Sequence, residues 1–153
     1  MKIAFIFVGK TKDAWIQSGE SEFVKRLQKF AQLEFRIVSE EGKGDEERIK
    51  KEEGKRILEK IKKDEFVCLL DLHGKELSSE SFAKHIEKWR DFHGGKVVFI
   101  IAGSYGYSQE VIDQSNFRIC FSKMTFTHQM IRVFLLEQVY RAFSILQGSE
   151  YHK

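Results

Sequence analysis

The ten residues FSKMTFTHQM, Phe121 to Met130, place a lysine, two threonine hydroxyls, an imidazole and several apolar side chains where an extended run must turn into a helix. Such a mixture suits a small-ligand site, with backbone N–H and C=O groups and short hydroxyls for polar contacts and with walls from Phe121, Met124 and Phe126. A plain strand-to-helix connection capped by Thr127 is the competing reading. His128 has the one side-chain type that ordinarily titrates near neutrality, which suits it to proton transfer, although a lone histidine serves more often as a hydrogen-bonding group. Arg132 follows with no obvious partner, and its guanidinium fork fits a phosphate or a substrate base. Arg141 stands four residues after Glu137, the spacing of an ordinary helical ion pair, so a structural and a binding role are both open to it.

Two other loops hold related chemistry. In AGSYGYS, Ala102 to Ser108, Gly103 and Gly106 would let a ligand approach the backbone closely, and a plain turn explains them equally well. DLHGK, Asp71 to Lys75, follows another apolar run. VGKT at 8–11 is no phosphate-binding loop, because Ala4 stands where the first glycine belongs, and no GxGxxG is present. Nucleotide hydrolysis and hydride transfer both lose ground. Cys68 and Cys120 lie in apolar runs, where a thiol behaves as a small hydrophobe, and the five histidines show no ligand spacing. Neither a disulfide nor a metal is expected.

Elements able to position these loops can be read from periodicity. Apolar runs at 2–9, LEFRIV, 66–72, 96–103 and FRICF predict strands. Helical spacing predicts helices over about 13–30, from an Asp45 cap to about Lys63, through Phe82, Ile86 and Trp89, over 109–114, and from about Thr127 to Leu146. Strand and helix alternate without repeat or linker. The expected fold is therefore α/β, one domain over 1–153, with a mostly parallel sheet covered by helices on both faces. Ligands of such sheets bind beyond the carboxyl ends of the strands, which selects DLHGK, AGSYGYS and SKMTFTH.

Bulk properties agree. Of 153 residues, 42% are hydrophobic and 32% charged, a balance that excludes a disordered tail. No apolar run reaches transmembrane length and MKIAFIFVGK is too quickly polar for a secretory signal, so a cytoplasmic protein with no membrane association is expected. The net charge of +3 resides in residues 117–153, where Arg118, Lys123, Arg132, Arg141 and Lys153 face only Glu137 and Glu150. That asymmetry would draw an anionic partner to the carboxy-terminal quarter, if the fold gathers those side chains. The last helix is apolar over most of its circumference, so it needs cover on more than one side, and a two-fold dimer through it is the expected solution.

DLHGK, FIIAGSYG, FSKMTFTHQMIRV, LLEQVYRAF and the terminal YHK, in that order, resemble the small SPOUT-superfamily methyltransferases that modify N3 of a pseudouridine in large-subunit ribosomal RNA. The resemblance covers essentially the whole chain, and HQMIRVFLLEQVYRAF with GSEYHK is its most specific part. It implies a carboxy-terminal trefoil knot, a homodimer, no metal, and S-adenosylmethionine as methyl donor. It also implies a substrate in ribosomal RNA, within the assembled ribosome; a non-catalytic α/β module that binds RNA or a nucleotide is the alternative reading. The donor pocket it implies comprises Leu70, Ala102, Gly103, Gly106, Phe121, Ser122, Lys123, Met124, Thr125 and Phe126. Arg132, His128, Arg141 and His152 become the catalytic candidates, with Tyr151 and Lys153 for RNA. Two departures stand out: Ala102 replaces the first of two glycines and Thr127 replaces a proline, in a chain with no proline at all. Weaker donor affinity is the expected result.

Overall fold

The computed structural model describes residues 1–152, His152 by its backbone alone. Strands β1 (Lys2–Val8), β2 (Gln32–Val38), β3 (Phe66–Glu76), β4 (Lys96–Ile101) and β5 (Phe117–Cys120) alternate with helices α1 (Ala14–Leu27), α2 (Glu46–Leu58), α3 (Ser79–Phe92), α4 (Gln109–Gln114) and α5 (Met130–Leu146). A 3₁₀ turn, Glu150–His152, follows. All pairings are parallel, in the order β2-β1-β4-β3-β5, as expected from the alternation.

Continuous apolarity in β1 and β4 follows from their central places, where both faces are covered. On one face α1, α3 and α5 cover Phe5, Phe99 and Ile119 with Leu27, Trp89 and Leu136 among others. On the other, α2 and α4 bring Ile57 and Val111 against Ile6 and Ile100. At the sheet edge Arg36 of β2 is buried and doubly bonded to Glu65, with Nη2 to Oε1 at 2.6 Å and Nη1 to Oε2 at 2.8 Å, which ties β2 to the approach to β3.

Three of the boundaries that differ from expectation have readable causes. Helix α2 ends at Leu58 because the next amides, of Lys60 and Ile61, bond three residues back to Ile57 O and Leu58 O. Helix α5 starts at Met130, whose N–H bonds to Thr127 Oγ1 at 3.2 Å, so Thr127 caps the helix from outside it. Strand β3 runs on to Glu76 after a bulge: Leu70 and Lys75 both pair with Ile119, and residues 71–74 are thrown outward. Gly74 makes the return possible, since a Cβ there would lie 2.6 Å from the Ile119 carbonyl carbon. The glycine of DLHGK thus serves strand packing.

Candidate active site

After β5 the chain crosses back over the sheet before α5 begins. Edge strand β5 lies beside β3, whereas the first turn of α5 is bonded to the end of β1, so residues 121–129 pass the carboxyl ends of β3 and β4. Beneath this crossing lies a cavity of about 490 Å³. Its lining comes from the outward bulge of β3, the loop after β4, and the crossing itself. These are the three places selected by sequence.

Each part is held by identifiable contacts. The Tyr107 hydroxyl lies 2.7 Å from Leu70 O and 2.6 Å from Ile100 O, giving its proton to this pair of carbonyls and fastening the ends of β3 and β4 together. Burial raises its pKa well above the ordinary tyrosine value, so it stays a donor. Arg118 Nη1 donates to Asp71 Oδ2 at 3.0 Å, pinning the bulge to β5. Within the crossing the Met124 N–H donates to Ser122 Oγ at 2.9 Å and the Cys120 thiol to Ser122 O at 3.1 Å. Phe121 meets Phe82 of α3 at 6.4 Å, and Phe126 meets Phe134 of α5 edge-on at 5.2 Å. Met124 is 75% and Phe126 42% exposed, an apolar surface open to a ligand.

The two glycines of the loop after β4 have different reasons. Gly106 has φ +85°, a left-handed conformation that side chains resist, and its N–H closes a turn on Gly103 O at 3.1 Å. Gly103 is needed for close approach of another kind: a Cβ there would stand 2.6 Å from Glu53 Oε2. Glu53 reaches up from α2, 4% exposed, with Oε1 accepting the Glu41 N–H at 3.0 Å and Oε2 without a hydrogen-bond partner. Burial raises its pKa above the usual carboxylate range. Gly54, beside it, lets α2 press directly against Ser108.

Leu70, Ala102, Gly103, Gly106, Phe121, Ser122, Met124, Thr125 and Phe126 line the cavity together with His128; Lys123, in the same crossing, does not. Burial, then the charge of Arg132, hold His128 below the ordinary histidine pKa against the opposing pull of Glu40. Arg132 does not face the cavity. It is wholly buried, with Nη2 donating to Val8 O at 2.6 Å, Nη1 to Thr11 Oγ1 at 3.0 Å and Nε to His128 O at 3.1 Å, and its guanidinium sits 4.9 Å from the Phe7 ring. Its Val8 and Thr11 partners lie on β1 and the next loop, far off in sequence, and its near one is a backbone carbonyl, which is why sequence reading found none.

Arg141 is nine residues further along α5, about 14 Å at 1.5 Å per residue. It makes the expected pair with Glu137 at 2.6 Å, lies 4.8 Å from the Tyr151 ring and donates to Tyr151 O at 3.4 Å. Tyr151 donates to Glu137 Oε1 at 3.2 Å and packs edge-on against Tyr140. Neither Arg141 nor Tyr151 lines the cavity of its own chain. The His152 side chain and Lys153 lie outside the described residues. Sequence reading missed Tyr107, Glu53 and Glu40; only the second tyrosine of AGSYGYS, in a loop already singled out, offered a signal.

A family model described as predicted SPOUT methyltransferase matches residues 1–152. The chain belongs to the SPOUT methyltransferases. Among its relatives, ribosomal RNA large subunit methyltransferase H of Carboxydothermus hydrogenoformans is 43% identical and that of Clostridium perfringens strain 13 is 45% identical, each aligned over 100% of both chains. The protein of the same name from Desulfotalea psychrophila is 39% identical over 153 residues. A probable methylase family protein from Haemophilus influenzae Rd KW20 superimposes with a TM-score of 0.60 at 12% identity, over 95% of this chain and 66% of that one, a likeness of fold. This SPOUT methyltransferase therefore has the α/β architecture and the methyl-transfer chemistry expected of it. Among the described residues no group of three or more His, Cys, Asp or Glu could hold a metal ion, and no helix is long and apolar enough to cross a membrane.

Proposed function

We propose that this chain transfers a methyl group from S-adenosylmethionine to N3 of a pseudouridine in large-subunit ribosomal RNA, acting in the cytoplasm on the assembled ribosome. One observation carries the reading: three segments distant in sequence converge on a cavity of about 490 Å³, within the size range of small-molecule sites, in a chain aligned end to end with ribosomal RNA methyltransferases. The whole chain, 1–153, is then one catalytic domain, and residues 121–129 belong to its trefoil crossing.

The lining fits such a donor. Phe121, Met124 and Phe126 supply apolar walls, Ser122 and Thr125 supply hydroxyls, and the backbones of Leu70, Ala102, Gly103 and Gly106 complete the polar set. Lys123 sits on the same crossing, exposed to solvent. When bound, the donor supplies an electrophilic methyl carbon on a cationic sulfur. The protein's share is to hold the target nitrogen in line and to remove its proton. His128, at the cavity, is placed for the proton; Arg132 holds the first turn of α5 to β1 and thereby positions the crossing.

Arg141 and Tyr151 belong to the other end of α5 and the turn after it, and His152 and Lys153 follow them in the sequence. We assign them to the site of a second copy, in a homodimer built on α5, where Tyr151 offers an aromatic face to a base and the cations meet phosphate. Phe134 at 39% exposure and a groove of about 270 Å³ between the start of α3, the crossing and α5 support a contact there.

Tritiated methyl incorporation tests the reading, with ribosomes from a methylase-null strain compared against naked ribosomal RNA. Label at a single large-subunit nucleotide, greater in the ribosome, is expected. Absence of label in both substrates overturns it.

A further inference from the structure

Beside the cavity, the loop after β2 brings a carboxylate to the His128 ring. Glu40 Oε1 lies 3.5 Å from His128 Nε2, and Glu40 Oε2 lies 3.7 Å from Lys12 Nζ. Nε2 is sealed from solvent and meets the Glu40 carboxylate as a charge contact, with no hydrogen bond to any described residue, and no hydrogen bond among the described residues engages Nδ1, on a ring that lines the cavity. The carboxylate has been given room. Gly9, at φ +77°, closes β1, and any Cβ there would collide with Glu40.

The Glu40 segment is braced from below. Glu53 accepts the Glu41 N–H at 3.0 Å, while Arg56 donates to Ser39 O at 3.0 Å and to Glu41 Oε2 at 2.7 Å. Three contacts, two of them half-buried and the Arg56–Ser39 bond exposed, thus hold the loop where its carboxylate meets the imidazole. A second brace acts on the ring's own residue, because Arg132 Nε holds the His128 carbonyl at 3.1 Å.

We infer that Glu40 is a positioning residue that holds the Nε2 edge of His128, so that Nδ1 accepts the N3 proton of the target base. The inference rests on the function proposed above. In the step, the N3–H bond breaks as Nδ1–H forms, and the electron pair stays on N3 for the new bond to the methyl carbon. The C–S pair leaves with sulfur, so charge and atoms balance without an oxidant or reductant. A carboxylate on the far nitrogen fixes the tautomer with hydrogen on Nε2 and stabilises the imidazolium that results. The charged groups facing the ring are Glu40 from the loop after β2, Arg132 from α5 and Lys12 from the loop after β1; the first favours imidazolium and the two cations oppose it.

Two variants separate this role from a structural one. With methylase-null ribosomes, H128N should lose roughly 10²-fold or more in kcat and lose the acid limb of the pH–rate profile. E40Q should lose about 10-fold in kcat. Because Glu40 favours the charged ring, E40Q should also move the acid limb to lower pH, and NMR titration of the His128 ring should fall in parallel. Donor binding by calorimetry should stay within about twofold in E40Q. An acid limb retained in H128N, or a limb and ring titration unmoved in E40Q, overturns the inference. If the wild-type chain transfers methyl groups and H128N does so equally well, this inference alone fails; if the wild type transfers none, the proposed function fails with it.

Discussion

The two ends of α5 carry one arginine each and look alike in sequence, yet burial gives them opposite characters. At the amino end Arg132 is wholly enclosed, and each of its three guanidinium nitrogens bonds to a backbone or hydroxyl partner of its own chain, over the Phe7 ring. At the carboxyl end Arg141 has a side chain 25% exposed, pairs with Glu137 and stacks near Tyr151. A desolvated guanidinium needs all its bonds, and it becomes part of the scaffold. A half-solvated one can exchange a protein partner for a phosphate at little expense. The lesson is that an arginine in a catalytic-looking motif is read first by what surrounds it.

The sharpest way to break this contrast is by substitution. R132A takes a donor from the Val8 and His128 carbonyls, leaves the Thr11 hydroxyl only its bond to Glu20 and opens a space against Phe7, and should destabilise the chain by about 3–5 kcal/mol in urea denaturation. R141A, at a half-buried helical pair still reached by solvent, should lose about 1 kcal/mol. Equal losses would erase the distinction. The same asymmetry should appear in function: deleting residues 149–153 should reduce methyl transfer by roughly 100-fold, or about 2.7 kcal/mol, while leaving the donor dissociation constant within about twofold. Parallel loss of both would place the tail at its own chain's cavity.

At the cavity end, G103A pushes a methyl group towards Glu53 and should weaken donor binding about 10-fold, as read by calorimetry. Shortening the acid in a G103A/E53A pair should restore part of that affinity. No recovery would mean that the methyl group meets the donor and not the carboxylate. The smallest effect concerns Glu53 itself. Its pKa is raised by burial, so its contribution to stability is fully present below the unfolded carboxylate pKa and is lost as pH rises through the folded value. E53Q removes that loss, and its Tm relative to wild type should therefore be higher at pH 8 than at pH 5, by about 2–4 °C for each kcal/mol involved.

How much of this was legible depended on range. The apolar runs at β1, β3 and β4 announced a buried parallel sheet, and the rule for loops at strand ends found all three sides of the cavity. The Glu137–Arg141 pair, four residues apart, was equally plain. What escaped was set by contacts between distant residues. Arg132 bonds to Val8 across 124 positions, Glu40 meets His128, and Glu53 sits under Gly103. Gly103 read as a ligand-loop glycine and does line the cavity, but the carboxylate pressed against it, like the strand pressed against Gly74, was not legible. Thr127 carried out the capping role that its hydroxyl suggested, although the helix it caps begins three residues later than its own position.

The path of the chain from β5 over β3 and β4 to β1 also bears on biosynthesis. The cavity's roof, and the helix whose first turn anchors that roof, are translated after the first four strands. A nascent polypeptide bearing the first four strands therefore has two of the three walls and no enclosed donor pocket, so competence for the methyl donor arises as a late event of synthesis, once the stretch beyond β5 has emerged.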